Sequence, residues 1–338
     1  MSAESPPARE GSRRLWRWIG PLAALAVLGA VVLVLHHQFA HLHVKRVLAH
    51  LHTIPRRQLL AAIGFTALSY YLLTTYETLG LAYLRRAIPY PRILLNSFIA
   101  YAFSHTLGYA AFTGAAIRLR LYASSRISAI DVAAVSAFCS FSFGIGLATI
   151  SGLSLLLAPE HAAMLLHLRR EWSELVGLLL LGAVAAYAFW ACLGRGTLEI
   201  RGWALRPPGP AIGLAQIGLG VLDLSLSCAV LWSLLPAPVG YITFLGVYAA
   251  AVIAGIISHI PGGVGVFEAV ILLTLPGMPT DALLGSLLAY RAVYYLLPLV
   301  FGTVLFGSKE LAAQRGRIAR AQELASAYIA PVVPQVAG

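Results

Sequence analysis

The hydrophobic and polar positions along the chain divide it into long apolar runs separated by short polar connections. About 20 apolar residues are needed to span a bilayer as a helix. Six runs meet that length: Trp18–Leu35, Leu59–Leu84, Asp131–Leu157, Ser173–Leu193, Ala211–Leu235 and Asp281–Phe306. Two further apolar stretches are interrupted. Ile93–Leu121 is broken around Ser104-His105-Thr106-Leu107-Gly108. Tyr241–Leu275 is broken at Ser258-His259-Ile260-Pro261-Gly262-Gly263-Val264-Gly265. Proline removes a backbone donor and biases its predecessor away from helix, and the glycines beside Pro261 complete the second break. Irregular backbone at membrane depth is tolerated only inside protein or beside a water-filled cavity. Both stretches therefore read as re-entrant hairpins facing a cavity. The alternative for the second is that Tyr241–Ser258, ~27 Å long by helical rise, crosses fully.

Composition agrees with this pattern. Of the 338 residues 59% are hydrophobic and 11% charged, against about 25% charged in a soluble domain. The expected fold class is an all-α polytopic integral membrane protein, with about six spanning helices and two broken hairpins. A basic tail over 1–17 precedes a membrane domain over 18–308, and a second tail follows over 309–338. The second tail is too short for a core of its own. Arg13, Arg14 and Arg17 before the first run resemble the opening of a signal peptide. No small-residue cleavage site follows, so an uncleaved spanning helix is expected.

The net charge of +11 would elsewhere suggest nucleic-acid binding. Here the basic residues sit in short loops and the two tails, without a basic, aromatic-interleaved module, and nucleic acid is not an expected partner. With the N-terminus inside, seventeen of the 24 Lys and Arg fall on the cytoplasmic side and six outside. That bias predicts both termini in the cytoplasm. The segment 36–57 carries six histidines among apolar residues at helical spacing. It reads as an amphipathic interfacial helix, with a metal site as the sharper alternative. Cys139, Cys192 and Cys228 each lie in an apolar run and offer no zinc-type spacing. No metal or cofactor is expected.

The two breaks resemble each other. Ser104-His105-x-x-Gly108 precedes Ala111-Phe112, and Ser258-His259-x-x-Gly262 precedes Val266-Phe267. Each follows a run carrying a buried acid, Glu77 or Asp223. Each is followed by a helix opening on Asp131 or Asp281, where an Asp suits an N-cap and the helix dipole. Three crossings separate the starts of the two units, about 59–157 and 211–307, so the second is inverted. That is the layout of many secondary transporters, whose sites lie at the midplane and use discontinuous helices.

Charges inside a span are costly and mark functional candidates. Glu77, Asp223, Glu268 and Arg291 lie within apolar segments, and Arg118 and Arg120 lie just past the first break. Ion pairing that fixes packing, such as Glu268 with Arg291, is one reading. A polar path for a charged group is the other: acids for a cationic headgroup, and arginines for a phosphate through their planar donor fork. His105 and His259 border the breaks as caps or titrating groups. Tyr290, Tyr294 and Tyr295 flank Arg291 as core aromatics or as lining of an acyl-chain groove. No hydrolase elbow, phosphate loop or dinucleotide fingerprint is present. A Ser258–His259–Glu268 set does not define a triad.

Two of these stretches are similar to signature segments of one family: Ser258 through Glu268, and Tyr290-Arg291-Ala292-Val293-Tyr294-Tyr295-Leu296-Leu297-Pro298. Gly108 through Tyr122, Leu222-Asp223 and Tyr76-Glu77, where the family often has Tyr-Asp, resemble it too. The family is the membrane region of bacterial lysylphosphatidylglycerol synthases, the multiple peptide resistance factors, with their stand-alone relatives. The resemblance runs over roughly residues 15–310. It implies an inner-membrane flippase for phosphatidylglycerol or its lysyl ester, with other lipids, hopanoid-related ones included, open for stand-alone forms. As the chain ends at Gly338, the soluble transferase domain of that family is expected to be absent, and the protein is expected not to be an enzyme. On this reading Glu77, Asp223 and Glu268 meet positive headgroup charge, and Arg118, Arg120 and Arg291 meet phosphate. Ser104, His105, Gly108, Ser258, His259, Pro261, Gly262, Gly263 and Gly265 form the cavity's gate. Membrane phospholipids are the expected partners. A separate lipid-modifying enzyme and self-association into a homo-oligomer are compatible with it. The rival is a scaffold or regulator of a lipid-synthesis partner, in which the buried charges only lock packing. A lysyltransferase activity would need a donor site that the sequence does not display.

Overall fold

Apolar residues without interior charges form long helices because lipid offers the backbone no hydrogen-bond partners, so each segment must satisfy its own. A computed structural model describes residues 54–107, 110–123, 125, 127–158, 169–194, 198–200 and 203–329. The expected first span Trp18–Leu35, most of the histidine-rich segment, Gly108 and the N-terminal tail lie outside them. The order is α1 (Arg56–Tyr83), α2 (Tyr90–Leu107), α3 (Ala110–Tyr122), α4 (Ala129–Leu157), α5 (Arg170–Leu193), β1 (Leu198–Ile200), β2 (Trp203–Leu205), α6 (Pro210–Ser233), α7 (Tyr241–Ser258), a 3₁₀ turn (Pro261–Gly263), α8 (Val266–Thr274), α9 (Thr280–Tyr290), a π-helical stretch (Arg291–Leu296) and α10 (Leu297–Ile329).

Among the described residues six helices are long and apolar enough to cross a membrane: α1, α4, α5, α6, α7 and the continuous run Thr280–Ala312 through α9, the π stretch and α10. The chain is a polytopic helical membrane protein. Five of these match expected spans. The sixth is α7, which the re-entrant reading had treated as one arm of a hairpin. Its 18 residues have the length to cross fully. The strands among the described residues form one two-stranded antiparallel hairpin, pairing Leu198 with Leu205 between α5 and α6.

Helix starts follow local chemistry. Ser128 caps α4 by accepting from the Asp131 amide at 3.1 Å, and Asp131 accepts from the Ser128 amide at 3.2 Å. Asp131 is thus the reciprocal partner three residues into a capping box rather than the cap itself. Asp281 likewise lies in the first turn of α9 and makes no capping hydrogen bond. It is placed to interact with the helix dipole.

The tightest crossing in the fold joins α4 to α6 at Gly146 and Gly220. A side chain on Gly220 would lie 2.6 Å from the Ser142 carbonyl and 2.7 Å from Gly146 Cα. Small residues let helix backbones approach where lipid supplies no hydrophobic drive for association. One turn along, Gln216 donates to Ser142 Oγ at 2.7 Å and accepts from the Tyr187 hydroxyl of α5, tying three helices together. The outward surface is apolar. On α5, Leu178, Leu179 and Phe189 are all more than half exposed, as suits a face against acyl chains.

The two expected breaks differ in form. After α7 the chain reverses sharply: His259 is left-handed (φ 55°), and Gly262, Gly263 and Gly265 also have positive φ. Proline and three glycines produce the break that the sequence predicts there. At the first site Ser104, His105 and Thr106 are still helical, in the last turns of α2. Ser104 and Thr106 donate to the carbonyls of Ala100 and Ala102, four residues back, at 2.6 and 3.1 Å. This corrects the expectation of an interruption beginning at Ser104. Without a proline, hydroxyls that fold back on their own helix do not end it.

Candidate functional site

A cavity of about 500 Å³ lies inside the helix bundle, walled by α1, α2, α3, α4, α6, α7, the 3₁₀ turn and the π stretch. Apolar side chains such as Leu73, Phe143, Leu224, Val252 and Phe267 make up much of its wall. Polar side chains line it as well, Arg118, His105, Ser136, Asp223, Tyr76 and Tyr294 foremost.

Arg118 is held by α3, which folds back along α2, and is only 3% exposed. Its Nε donates to Glu77 Oε2 of α1 at 2.9 Å. The Tyr122 hydroxyl donates to the other carboxylate oxygen at 2.7 Å. Glu77 is fully buried, so this is a desolvated ion pair reinforced by a hydroxyl. The guanidinium lies 4.8 Å from the Tyr101 ring centroid, a cation–π contact. Arg118 Nη2 has no hydrogen-bond partner, and neither has Ser136 Oγ or His105 Nδ1. A buried unpaired donor costs about 1–3 kcal/mol, so three at one cavity are a standing capacity for a polar ligand.

Asp223 lines the opposite part of the wall, on α6. It is 5% exposed and meets only hydroxyls: Ser69 Oγ and Tyr76 OH, each at 3.4 Å. Ser69 is in turn 3.1 Å from the Tyr294 hydroxyl.

The second pair serves the break. Arg291 Nε donates to Glu268 Oε1 at 2.7 Å, and its Nη1 donates to the Gly262 carbonyl at 2.6 Å. Glu268 Oε2 accepts from the Gly265 amide at 2.7 Å. One ion pair therefore clamps both sides of the glycine turn, while the guanidinium packs 4.7 Å from the Tyr295 ring centroid. Ser258 donates to the Gly255 carbonyl and accepts from the Ile260 amide, and His259 Nδ1 lies 2.7 Å from the Ile257 carbonyl. These groups satisfy backbone that the break would otherwise leave open. His259, Gly262 and Gly263 also face the cavity.

The structure thus sorts the sequence candidates. Arg118 and Asp223 are the two charged members that line the cavity. Glu77 lies behind Arg118, Glu268 and Arg291 lie behind the glycine turn, and Arg120 is turned away to pair with Glu310 of α10. Glu268 with Arg291 is the pair that packing considerations suggest. His105 lines the cavity, but as a ring stacked 5.9 Å from Tyr294 rather than as a cap. Tyr294 lines the cavity, whereas Tyr290 is fully buried, with its hydroxyl 2.6 Å from that of Tyr248. Tyr295 lines the cavity beside Tyr294. Sequence reasoning also passed over Ser69 and Ser136, since isolated serines in apolar runs carry no distinguishing signal. Among the described residues no group of three or more metal-ligating side chains occurs.

Six membrane-length helices, five of them around a cavity bearing a buried arginine and a buried aspartate, define a class, the polytopic membrane proteins with an internal polar site. Within it, the chain belongs to the lysylphosphatidylglycerol synthase transmembrane-region family, whose model matches residues 21–302. It is 35% identical over 308 residues to the uncharacterized protein slr0712 of Synechocystis, covering 89% of this chain and 95% of that one. It is 29% identical over 269 residues to the inner membrane protein YbhN of Escherichia coli, covering 78% and 83%. A phosphatidylglycerol lysyltransferase of Staphylococcus haemolyticus is 26% identical over 294 residues. That match covers 82% of this chain and 33% of the larger protein.

Proposed function

We propose that this protein moves phospholipid between the leaflets of the bacterial inner membrane, with phosphatidylglycerol or its lysyl ester as the substrate. The observation that carries the reading is the cavity: an apolar wall for acyl chains, interrupted by an arginine with an unpartnered donor and an aspartate with only hydroxyl partners. Arg118 takes the phosphate, for which a guanidinium is suited. Asp223 takes the hydroxyl or ammonium donors of the headgroup. The turn 258–265, clamped by Arg291 and Glu268, forms the gate. The role is movement of the lipid rather than chemistry on it.

Membership of the family and the inner-membrane location in the name of YbhN support this reading. So does the parallel between α2 and α7, each 18 residues long and each followed in the chain by a shorter helix. We read the units 59–157 and 211–307 as an inverted repeat about the cavity, with both termini cytoplasmic by the distribution of Lys and Arg.

The test is leaflet exchange of labelled phosphatidylglycerol and lysylphosphatidylglycerol in proteoliposomes. Exchange above protein-free vesicles is expected for at least one of the two lipids, and a folded Arg118→Gln variant is expected to slow it about tenfold, the equivalent of one charge-assisted hydrogen bond. No exchange of either lipid above empty vesicles overturns the proposal and favours a scaffolding role.

A further inference from the structure

The three acids near the cavity are not equivalent. Glu77 receives a guanidinium at 2.9 Å and a phenol at 2.7 Å. Glu268 receives a guanidinium and a backbone amide, each at 2.7 Å. Both are short, charge-assisted arrangements that suit a permanent carboxylate. Asp223 has neither. No ion pair involves it among the described residues, and its two contacts are hydroxyls at 3.4 Å. Since Arg118 is neutralised by Glu77 and Arg291 by Glu268, Asp223 is the uncompensated charge of the site.

The groups that face it are of one kind. Beyond Tyr76, α1 also supplies Tyr70, and the π stretch supplies Tyr294, linked through Ser69. In the same wall, α4 presents Cys139 and α7 presents Tyr248. From α9, Tyr290 is engaged with Tyr248. From α5, Tyr187 is engaged with Gln216, two turns from Asp223 on α6. The charged or basic groups in the wall, Arg118, His105 and His259, sit on α2, α3 and the break. A hydroxyl can donate to a carboxylate or accept from a carboxylic acid, so this surround accommodates both forms without rearrangement. Burial without a counter-ion makes the charged form expensive.

We propose that Asp223 is a proton-binding site of the cavity, alternating between carboxylic acid and carboxylate, and that this alternation couples lipid movement to a proton gradient. The proton enters from cavity water onto an Asp223 carboxylate oxygen. It returns to water when the headgroup's donors take the carboxylate, or when the cavity opens to the other side. The coupling half of the inference rests on the transport reading above; the proton site does not.

Two measurements on the full-length protein separate them. In infrared difference spectra of the reconstituted protein, acidification is expected to raise a carboxylic C=O band that is missing in Asp223→Asn and shifted in Asp223→Glu. Absence of that band in the wild type, or its persistence unchanged in Asp223→Asn, overturns the proton site. In proteoliposomes clamped at zero potential, a one-unit pH gradient is expected to drive the leaflet ratio of the transported lipid up to about tenfold, the limit for one proton per lipid. Asp223→Asn is expected to show no gradient-driven asymmetry, and Asp223→Glu to restore it. Wild-type exchange that ignores the gradient overturns the coupling and leaves the transport reading standing. No wild-type exchange overturns the transport reading, and the infrared band alone then decides the site.

Discussion

Glu77 is fully buried, and its stability depends on Arg118 and Tyr122. Removing one partner of such a pair strands an uncompensated charge, at about 3–5 kcal/mol, whereas removing both is close to neutral. Arg118→Met is therefore expected to lower the melting temperature in detergent markedly, and Glu77→Gln with Arg118→Met to recover most of the loss. An additive double variant would show that the pair is not coupled. Leaflet exchange separates this structural part of Arg118 from its binding part, because the double variant is expected to be stable yet slow. The sequence singled out six charged residues and suggested one pairing among them, Glu268 with Arg291. It could not show that Glu77 backs Arg118 or that Arg120 turns to Glu310, because spacing along a helix does not say which residue of another helix lies opposite.

Among the elements, the glycine turn after α7 and the α4–α6 crossing are the constrained parts. Glu268 ties the Gly265 amide and Arg291 together across the turn. Glu268→Ala is expected to raise hydrogen exchange at the Gly265 amide and along the start of α8, while α1 and α4 keep their protection. Unchanged exchange there would remove the clamp. At the crossing, Gly220→Ala would force a methyl against the Ser142 carbonyl and Gly146, an overpacking of about 1–3 kcal/mol. Gly218→Ala, with nothing within 4 Å of the new methyl, is expected to be neutral or to stabilise the helix by up to about 1 kcal/mol. Thermal melts of the two variants make the comparison. Gly218 and Gly220 look alike in sequence, and only the neighbouring helix distinguishes them. The break at Pro261 was legible because proline and glycine act on their own backbone. The helical state of Ser104 and Thr106 was not, because a hydroxyl that bonds to its own helix leaves no mark on the pattern.

Over the whole molecule, lipid replaces water as the outer solvent. On α5 the exposed leucines mark that boundary. Leu178→Asp is expected to cost roughly 2.5–3.5 kcal/mol at a helix centre and to reduce the yield of folded, membrane-inserted protein, while Leu178→Ala is tolerated. Equal yields would place Leu178 away from the lipid core. The same solvent accounts for the cavity. A charge inside the bundle is stabilised by a partner there, and among the described residues Asp223 finds only hydroxyls, the observation behind the proton and headgroup roles proposed for it.

The class, the long apolar helices and the sharper of the two breaks were legible along the chain, because each is set by local quantities: run length, charge scarcity, and the backbone limits of proline and glycine. The motifs around Pro261 and Arg291 also pointed to the family. Which helices face one another followed from packing. It put Glu77 behind Arg118, aimed Arg120 at Glu310, closed the Glu268–Arg291 pair over the turn, kept Tyr290 out of the wall that Tyr294 and Tyr295 line, and left Asp223 without a cation. These are contacts between helices far apart in the chain, and their energies depend on distance and desolvation, which no pattern along one strand of sequence contains.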